Sequence, residues 1–183
     1  VNRKEVLESI NENVENKNLL KHMLATEAIM RALARRLSED EDEWGLTGLL
    51  HDIDVELTEG DENSHSKLGA DLASELGASK EMVHAILCHN AAHGLPCETK
   101  LDKALFCADP LTGLITASAL VRSDKKLAGL EAKSVLKRFK EKAFAAGANR
   151  EHIASCQGLG IEIEEFVSLG LKAMQDIAGN LGL

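Results

Sequence analysis

The sequence is short of what builds sheets. Among 183 residues there is no tyrosine, one tryptophan and two prolines, and no alternating β-branched run bounded by hairpin turns, so an all-β fold is excluded. No stretch approaches the roughly 20 apolar residues of a membrane span. The opening VNRKEVLESINENVENKN is charged where a signal peptide is apolar, and the expectation is a soluble, cytoplasmic protein with no membrane partner. Positive charge is scarce: 21 lysines and arginines face 30 aspartates and glutamates, a net charge of -9. A phosphate backbone is gripped by dense cations, so general nucleic-acid binding is not expected, whereas a small anion held by a metal and a few local cations is. Cys88, Cys97, Cys107 and Cys156 show no C-x-x-C spacing, which excludes a zinc ribbon and a thioredoxin-type site and makes them reduced core thiols.

What is present favours helix. Alanine, leucine, glutamate and lysine abound, and 44% of residues are hydrophobic, enough for a single domain over residues 1–183 to bury its core without disulfides or metal staples. The expected fold class is all-α, a single-domain helical bundle. Leu19, Met23, Met30, Leu33 and Leu37 make one apolar stripe, opposite Lys21, Arg31 and Arg35, and predict a helix over 19–37. A second is predicted over 41–52, ending in the acidic loop IDVELTEGDENS, and further ones near 65–76, 79–92, 100–108, 110–121, 131–146 and 149–181. Gly77 and Gly94 fall where helices should end, and Ser79 where one should begin.

Against this background the histidines and some carboxylates stand out. His22 lies within the apolar stripe of its helix, either as a buried histidine bonded to a carbonyl or as a metal ligand. His51 and Asp52 close WGLTGLLHD, with Gly48 leaving small side chains beside them and room for an ion. Adjacent imidazole and carboxylate groups can share one ion, or the carboxylate can bridge two; the alternative is a helix-end ion pair. Asp109 precedes Pro110 and is expected at a helix break, as a ligand or an N-cap. His89 and His93 share a helical face, His84 and His152 point to solvent, and His65 opens a helix whose N-terminal dipole suits an anion.

Taken in order, His22, His51-Asp52 and Asp109 resemble the H…HD…D signature of the HD-domain phosphohydrolases, over residues 19–121 and including GLLHDIDVE and ALFCADPLTGLI. The resemblance implies that these four side chains hold a metal ion. His65 in HSKLGADL and His89 in AILCHN match positions that supply a second metal in binuclear members, with Asp52 bridging. One or two divalent transition-metal ions (Mn, Fe, Co, Ni or Zn) would activate water against a small, nucleotide-like phosphate ester. Several members carry Lys or Glu three residues after the paired aspartate; here Val55 stands there, so Asp54 and Glu56 become the candidates to move the proton beside Asp52. Lys67, His93 and Thr112 are candidates to hold phosphate oxygens, with surface or capping roles as the alternative. Residues 122–183 read as a C-terminal helical extension without a motif, and the run VLKRFKEK within it as a solvated face. Two other readings stay open: a non-catalytic metal-binding signalling or interaction module, which Val55 favours, and a metal-free helical interaction protein. The oligomeric state is not written in the sequence.

Overall fold

Side-chain caps decide where the chain turns into helix. Asn2, Asn16, Asp40, Ser79, Thr99 and Asn149 each accept backbone N–H groups from the first turn that follows them. The computed structural model describes residues 1–183 and contains helices and no strand. The helices are α1 (Arg3–Asn13), α2 (Lys17–Leu37), α3 (Glu41–Leu50), α4 (Lys67–Glu75), α5 (Lys80–His89), α6 (Lys100–Leu120), α7 (Ala132–Lys140), α8 (Arg150–Ala154), α9 (Ile163–Asp176) and α10 (Ala178–Leu181). Short 3-10 turns occupy Ala91–His93 and Ser155–Leu159. As expected, Gly77 follows the end of α4 with positive φ and Ser79 caps α5; Gly94, also at positive φ, ends the 3-10 turn Ala91–His93 and not the helix itself. No helix is long and apolar enough to cross a membrane.

The two longest helices, α2 and α6, form the centre, and α3 and α9 pack against α2. Met23, Ile29, Met30 and Leu33 of α2 are fully buried, as are Leu105 and Leu111 of α6 and Phe166 of α9. Arg31, expected on the solvent side, is half-buried between Glu27 (3.0 Å) and Asp42 (2.8 Å). Cys88, Cys107 and Cys156 are core thiols, whereas Cys97 is only half-buried in the loop before α6.

Five boundaries differ from expectation. The predicted break at Pro110 is absent, and α6 runs unbroken from Lys100 to Leu120. A proline inside a helix costs about 3 kcal/mol. Burying Leu101, Leu105, Leu111, Leu114 and Ile115 on the same helix outweighs that, at roughly 1.5–3 kcal/mol each. Helix α5 stops at His89, where Asn90 leaves the α region and caps the next turn, so His93 does not share a helical face with His89. Helix α4 begins at Lys67, leaving His65 in the preceding turn. The predicted helix over 149–181 is broken at Gly160, which has φ +75. Similarly, the predicted 131–146 stops at Lys140, where the Arg150 guanidinium donates to the carbonyls of Arg138, Phe139 and Glu141 and closes the end of α7.

Candidate metal centre

Three elements deliver four side chains to one point. His22 comes from the middle of α2, His51 and Asp52 from the end of α3, and Asp109 from the middle of α6. His22 Nε2 lies 3.1 Å from His51 Nε2, 3.3 Å from Asp52 Oδ2 and 3.1 Å from Asp109 Oδ1. His51 Nε2 is 3.3 Å from Asp52 Oδ2 and 3.6 Å from Asp109 Oδ1. The other carboxylate oxygen of Asp52 faces a second pair: Oδ1 is 3.5 Å from His65 Nε2 and 3.4 Å from His89 Nε2. The structure thus brings together His22, His51, Asp52, His65, His89 and Asp109.

The remaining ring nitrogens explain why these imidazoles hold their orientation. His51 Nδ1–H donates to the Gly48 carbonyl at 2.7 Å, and His89 Nδ1–H to the Ile86 carbonyl at 2.5 Å. His65 Nδ1 lies 2.7 Å from Asp54 Oδ1. His22 Nδ1 lies 2.8 Å from Thr112 Oγ1, whose own proton goes to the Asp109 carbonyl at 2.8 Å, so the hydroxyl accepts from the imidazole. With every Nδ1 committed as a donor, four Nε2 lone pairs and the Asp52 and Asp109 oxygens converge. Such a gathering of electron-rich atoms is repulsive unless protons or a cation lie among them. Ligands about 2.0–2.2 Å from one ion are themselves separated by about 3.0–3.6 Å, and the observed spacings fall in that range. The donor set therefore fits a divalent metal, and the Nδ1 partners do what carboxylates and carbonyls behind ligating histidines do elsewhere.

Several expected roles are reassigned. Asp54 is fully buried and accepts from His65 Nδ1, Ser66 N and Gly69 N, the last two at 2.7 Å. Its carboxylate is thus engaged by His65 and two backbone N–H groups and is sealed from solvent, a positioning arrangement and not that of a proton shuttle. Ser66 adopts a left-handed conformation, φ +67, to make its share of that network. Glu56 caps backbone N–H groups of Glu15 and Asn16 at 2.8 and 2.7 Å, tying the loop to the start of α2. Thr112 is buried behind His22 and is not among the residues that line the cleft at Asp52. His93 Nε2 sits against the His65 carbonyl at 2.7 Å, and Lys67 is exposed at the start of α4. Gly48 does not make room for an ion: a Cβ there would meet Met30 Cγ at 2.9 Å and the Thr26 main chain at 3.0 Å, so its smallness lets α2 and α3 touch. His84, expected in solvent, pairs with the buried Asp102.

A cleft of about 400 Å³ opens onto Asp52, His65, His89 and Asp109, with Val55 and Asn90 in its wall. Asn90 is a residue that sequence reasoning missed. Its amide donates to the carbonyls of Glu62 (2.9 Å) and His65 (3.1 Å), fixing the cleft rim. An asparagine after a helix is its only trace in the sequence, and that reads simply as a cap.

Without a metal, the charges hold one another. Burial depresses the His22 imidazolium, but hydrogen bonds with Asp109 and Asp52 outweigh it and raise the pKa to about 9. His51 is raised well above its ordinary value, because the Asp52 and Asp109 carboxylates overcome its complete burial. His65 is raised by Asp54 and Asp52, again against burial. Conversely, Asp52 and Asp109 are held well below the carboxylate range, since the imidazoles beside them overcome the desolvation that would push them up.

A family model described as HD domain matches residues 19–114, more than half of the chain. The chain belongs to the HD domain family. The HD domain match spans all six converging residues. Similar curated proteins include ribonuclease Y of Oleidesulfovibrio alaskensis, 32% identical over 139 residues, which are 74% of this chain and 26% of that protein. Ribonuclease Y of Lawsonia intracellularis is 31% identical over 137 residues, 73% of this chain and 26% of that protein. For Salinispora arenicola the figure is 40% over 73 residues, covering 40% and 12%. The chain thus spans about a quarter of the length of the first two relatives. No solved structure matches it. Within the HD domain match, His22, His51 and Asp109, and His51, Asp52 and His89, are grouped closely enough to hold a metal ion.

Proposed function

We propose that this HD domain hydrolyses a phosphate ester, with His22, His51, Asp52 and Asp109 holding one divalent transition-metal ion and Asp52, His65 and His89 a second. The observation that carries the reading is the division of labour in Asp52, whose two oxygens face two separate groups of imidazoles. When bound, such ions neutralise charge on phosphoryl oxygens and make water a nucleophile near neutral pH. The chain's own residues fix the geometry. Thr112, Gly48, Asp54 and Ile86 orient the four imidazoles, and Val55, His65 and Asn90 wall the cleft.

The cleft is lined by no lysine or arginine, so anion capture falls to the centre itself. Together with the net charge of -9, this favours a compact, nucleotide-like phosphate over a long polyanion. A second reading, cleavage of RNA, is favoured by the ribonuclease Y relatives. Asp54 and Glu56 are committed elsewhere, and the cleft is walled at Gly60 and Glu62, so in this reading solvent there would supply the proton for the leaving oxygen.

The test is a hydrolysis screen over phosphomonoesters, nucleotides, cyclic dinucleotides and a short RNA, each with Mn, Fe, Co, Ni or Zn. Turnover of a nucleotide-like ester, abolished by chelation, supports the proposal. Cleavage of RNA alone moves the assignment to the second reading. Retained metal with no turnover of any substrate identifies a non-catalytic module.

A further inference from the structure

We propose that His84, Cys88, Cys97 and Asp102 form a second, structural site for a thiophilic divalent cation of the Zn²⁺ class, independent of the catalytic reading. The four residues come from three segments: His84 and Cys88 from one face of α5, Cys97 from the loop that follows, and Asp102 from the first turn of α6. One ligand atom from each of His84, Cys88 and Asp102 lies within 4.8 Å of the other two. His84 Nδ1 is 3.0 and 3.1 Å from the Asp102 oxygens, and Cys97 Sγ is 4.0 Å from Cys88 Sγ.

The geometry distinguishes a cation from the alternative of a disulfide. A disulfide requires sulfurs about 2.05 Å apart, so the pair would have to close by roughly 2 Å. Two thiolates on a tetrahedral zinc, each about 2.3 Å from the ion, are separated by about 3.8 Å, close to what is observed. Asp102 is prepared as a ligand. Its Oδ2 accepts the backbone N–H groups of Glu98 and Thr99, both at 2.9 Å, and these fix the carboxylate with both oxygens towards His84 Nδ1 and only Oδ1 free of backbone donors. Cys88 and Asp102 are buried, while the His84 side chain is 35% exposed, which leaves an entry path for an ion. His84, Cys88 and Asp102 converge as a group of three, and Cys97, whose Sγ stands beside that of Cys88, would complete a closed four-ligand set, the pattern of structural sites rather than catalytic ones.

An ion here would cross-link α5, α6 and the connection between them. Both helices carry ligands of the candidate catalytic centre, His89 and Asp109, and the connection begins with Asn90, Ala91 and Ala92 of the cleft wall. The site would therefore hold that wall in place.

The experiment is titration of the full reduced chain with Co²⁺ without oxygen, reading the near-ultraviolet sulfur-to-cobalt charge-transfer band. The HD centre offers only nitrogen and oxygen, so the band reports on this site alone. The expected result is a band whose final amplitude corresponds to one cysteine-bound ion, reached after the HD centre has taken its own share of Co²⁺, weakened in Cys88→Ser and in Cys97→Ser, lost in the double variant and of the same final amplitude in Asp52→Ala. Cys97 is half-buried in a loop, so its variant reads the site even where Cys88→Ser impairs folding. Absence of a band in the unsubstituted chain, or a band that survives Cys97→Ser at full strength, overturns the proposal.

Discussion

Residues 19–121 and residues 122–183 are built on different terms. Every buried polar or charged residue of the molecule, from Thr26 to Ser118, lies in the first region, including His51, Asp54, His89 and Asp102. In the second, the buried side chains are apolar, among them Leu127, Val135, Ile153, Phe166 and Met174. Burying a polar group costs stability unless it finds a partner, so the first region gives up cohesion to hold chemistry in place. The second region supplies cohesion, and does so where it is needed. Helix α9 packs on the two helices that carry His22 and Asp109, and a Cβ at its Gly170 would meet Leu111 and Ile115 of α6 and Ile29 of α2. The apparent extension is a brace for the ligand-bearing helices.

Substitutions should separate the two regions. The largest effect is expected from Asp52→Ala, which removes the group shared by both halves of the centre. Hydrolysis should fall by far more than the 10–100-fold typical of losing a residue behind a ligand, while circular dichroism and thermal melting stay close to the parent. Phe166→Ala should do the opposite, costing about 3–5 kcal/mol of stability in denaturant unfolding while the folded protein keeps its metal stoichiometry. If Phe166→Ala lost metal before stability, the division drawn above would be wrong.

Smaller effects sharpen the first region. Thr112→Val keeps the side-chain volume but removes the hydroxyl behind His22, and metal affinity measured by calorimetry should drop about 10–100-fold with little change in melting temperature. The last prediction concerns pH. In the metal-free protein His22 is raised to about 9, so below that pH its Nε2 carries a proton that an ion must displace. The stabilisation from this imidazolium is complete below its unfolded value of about 6.5 and is lost as pH rises through about 9. Metal affinity runs the other way, rising at least about tenfold per unit between about pH 7 and 9. Calorimetry in buffers of different ionisation enthalpy should register at least one proton released per ion near neutral pH.

Much of the first region was legible because its chemistry uses few residue types. An imidazole in an apolar stripe, as at His22, and a His-Asp pair at the end of a hydrophobic helix, as at His51 and Asp52, are visible as breaches of a 3.6-residue pattern. The roles of their supports were not legible, because those depend on contacts across the fold. Asp54 and Glu56 differ little in sequence context, yet one is sealed beneath His65 and the other caps α2. Pro110 locally argues for a break, and only the buried face of α6 overrules it. The second region was legible as helix but not as separate helices, since Arg150 and Gly160, which divide it, act through distant carbonyls and a single turn.

Gly48 carries a consequence for how far this protein can drift. Where side chains separate two helices, each change of volume alters their spacing, and a distance such as that from His22 to His51 wanders with it. Here main chain meets glycine directly, with the Thr26 carbonyl as the stop. Main-chain contact has no adjustable length, so core volume changes away from Met30, whose side chain shares this contact, should leave the gauge between the two imidazoles in place.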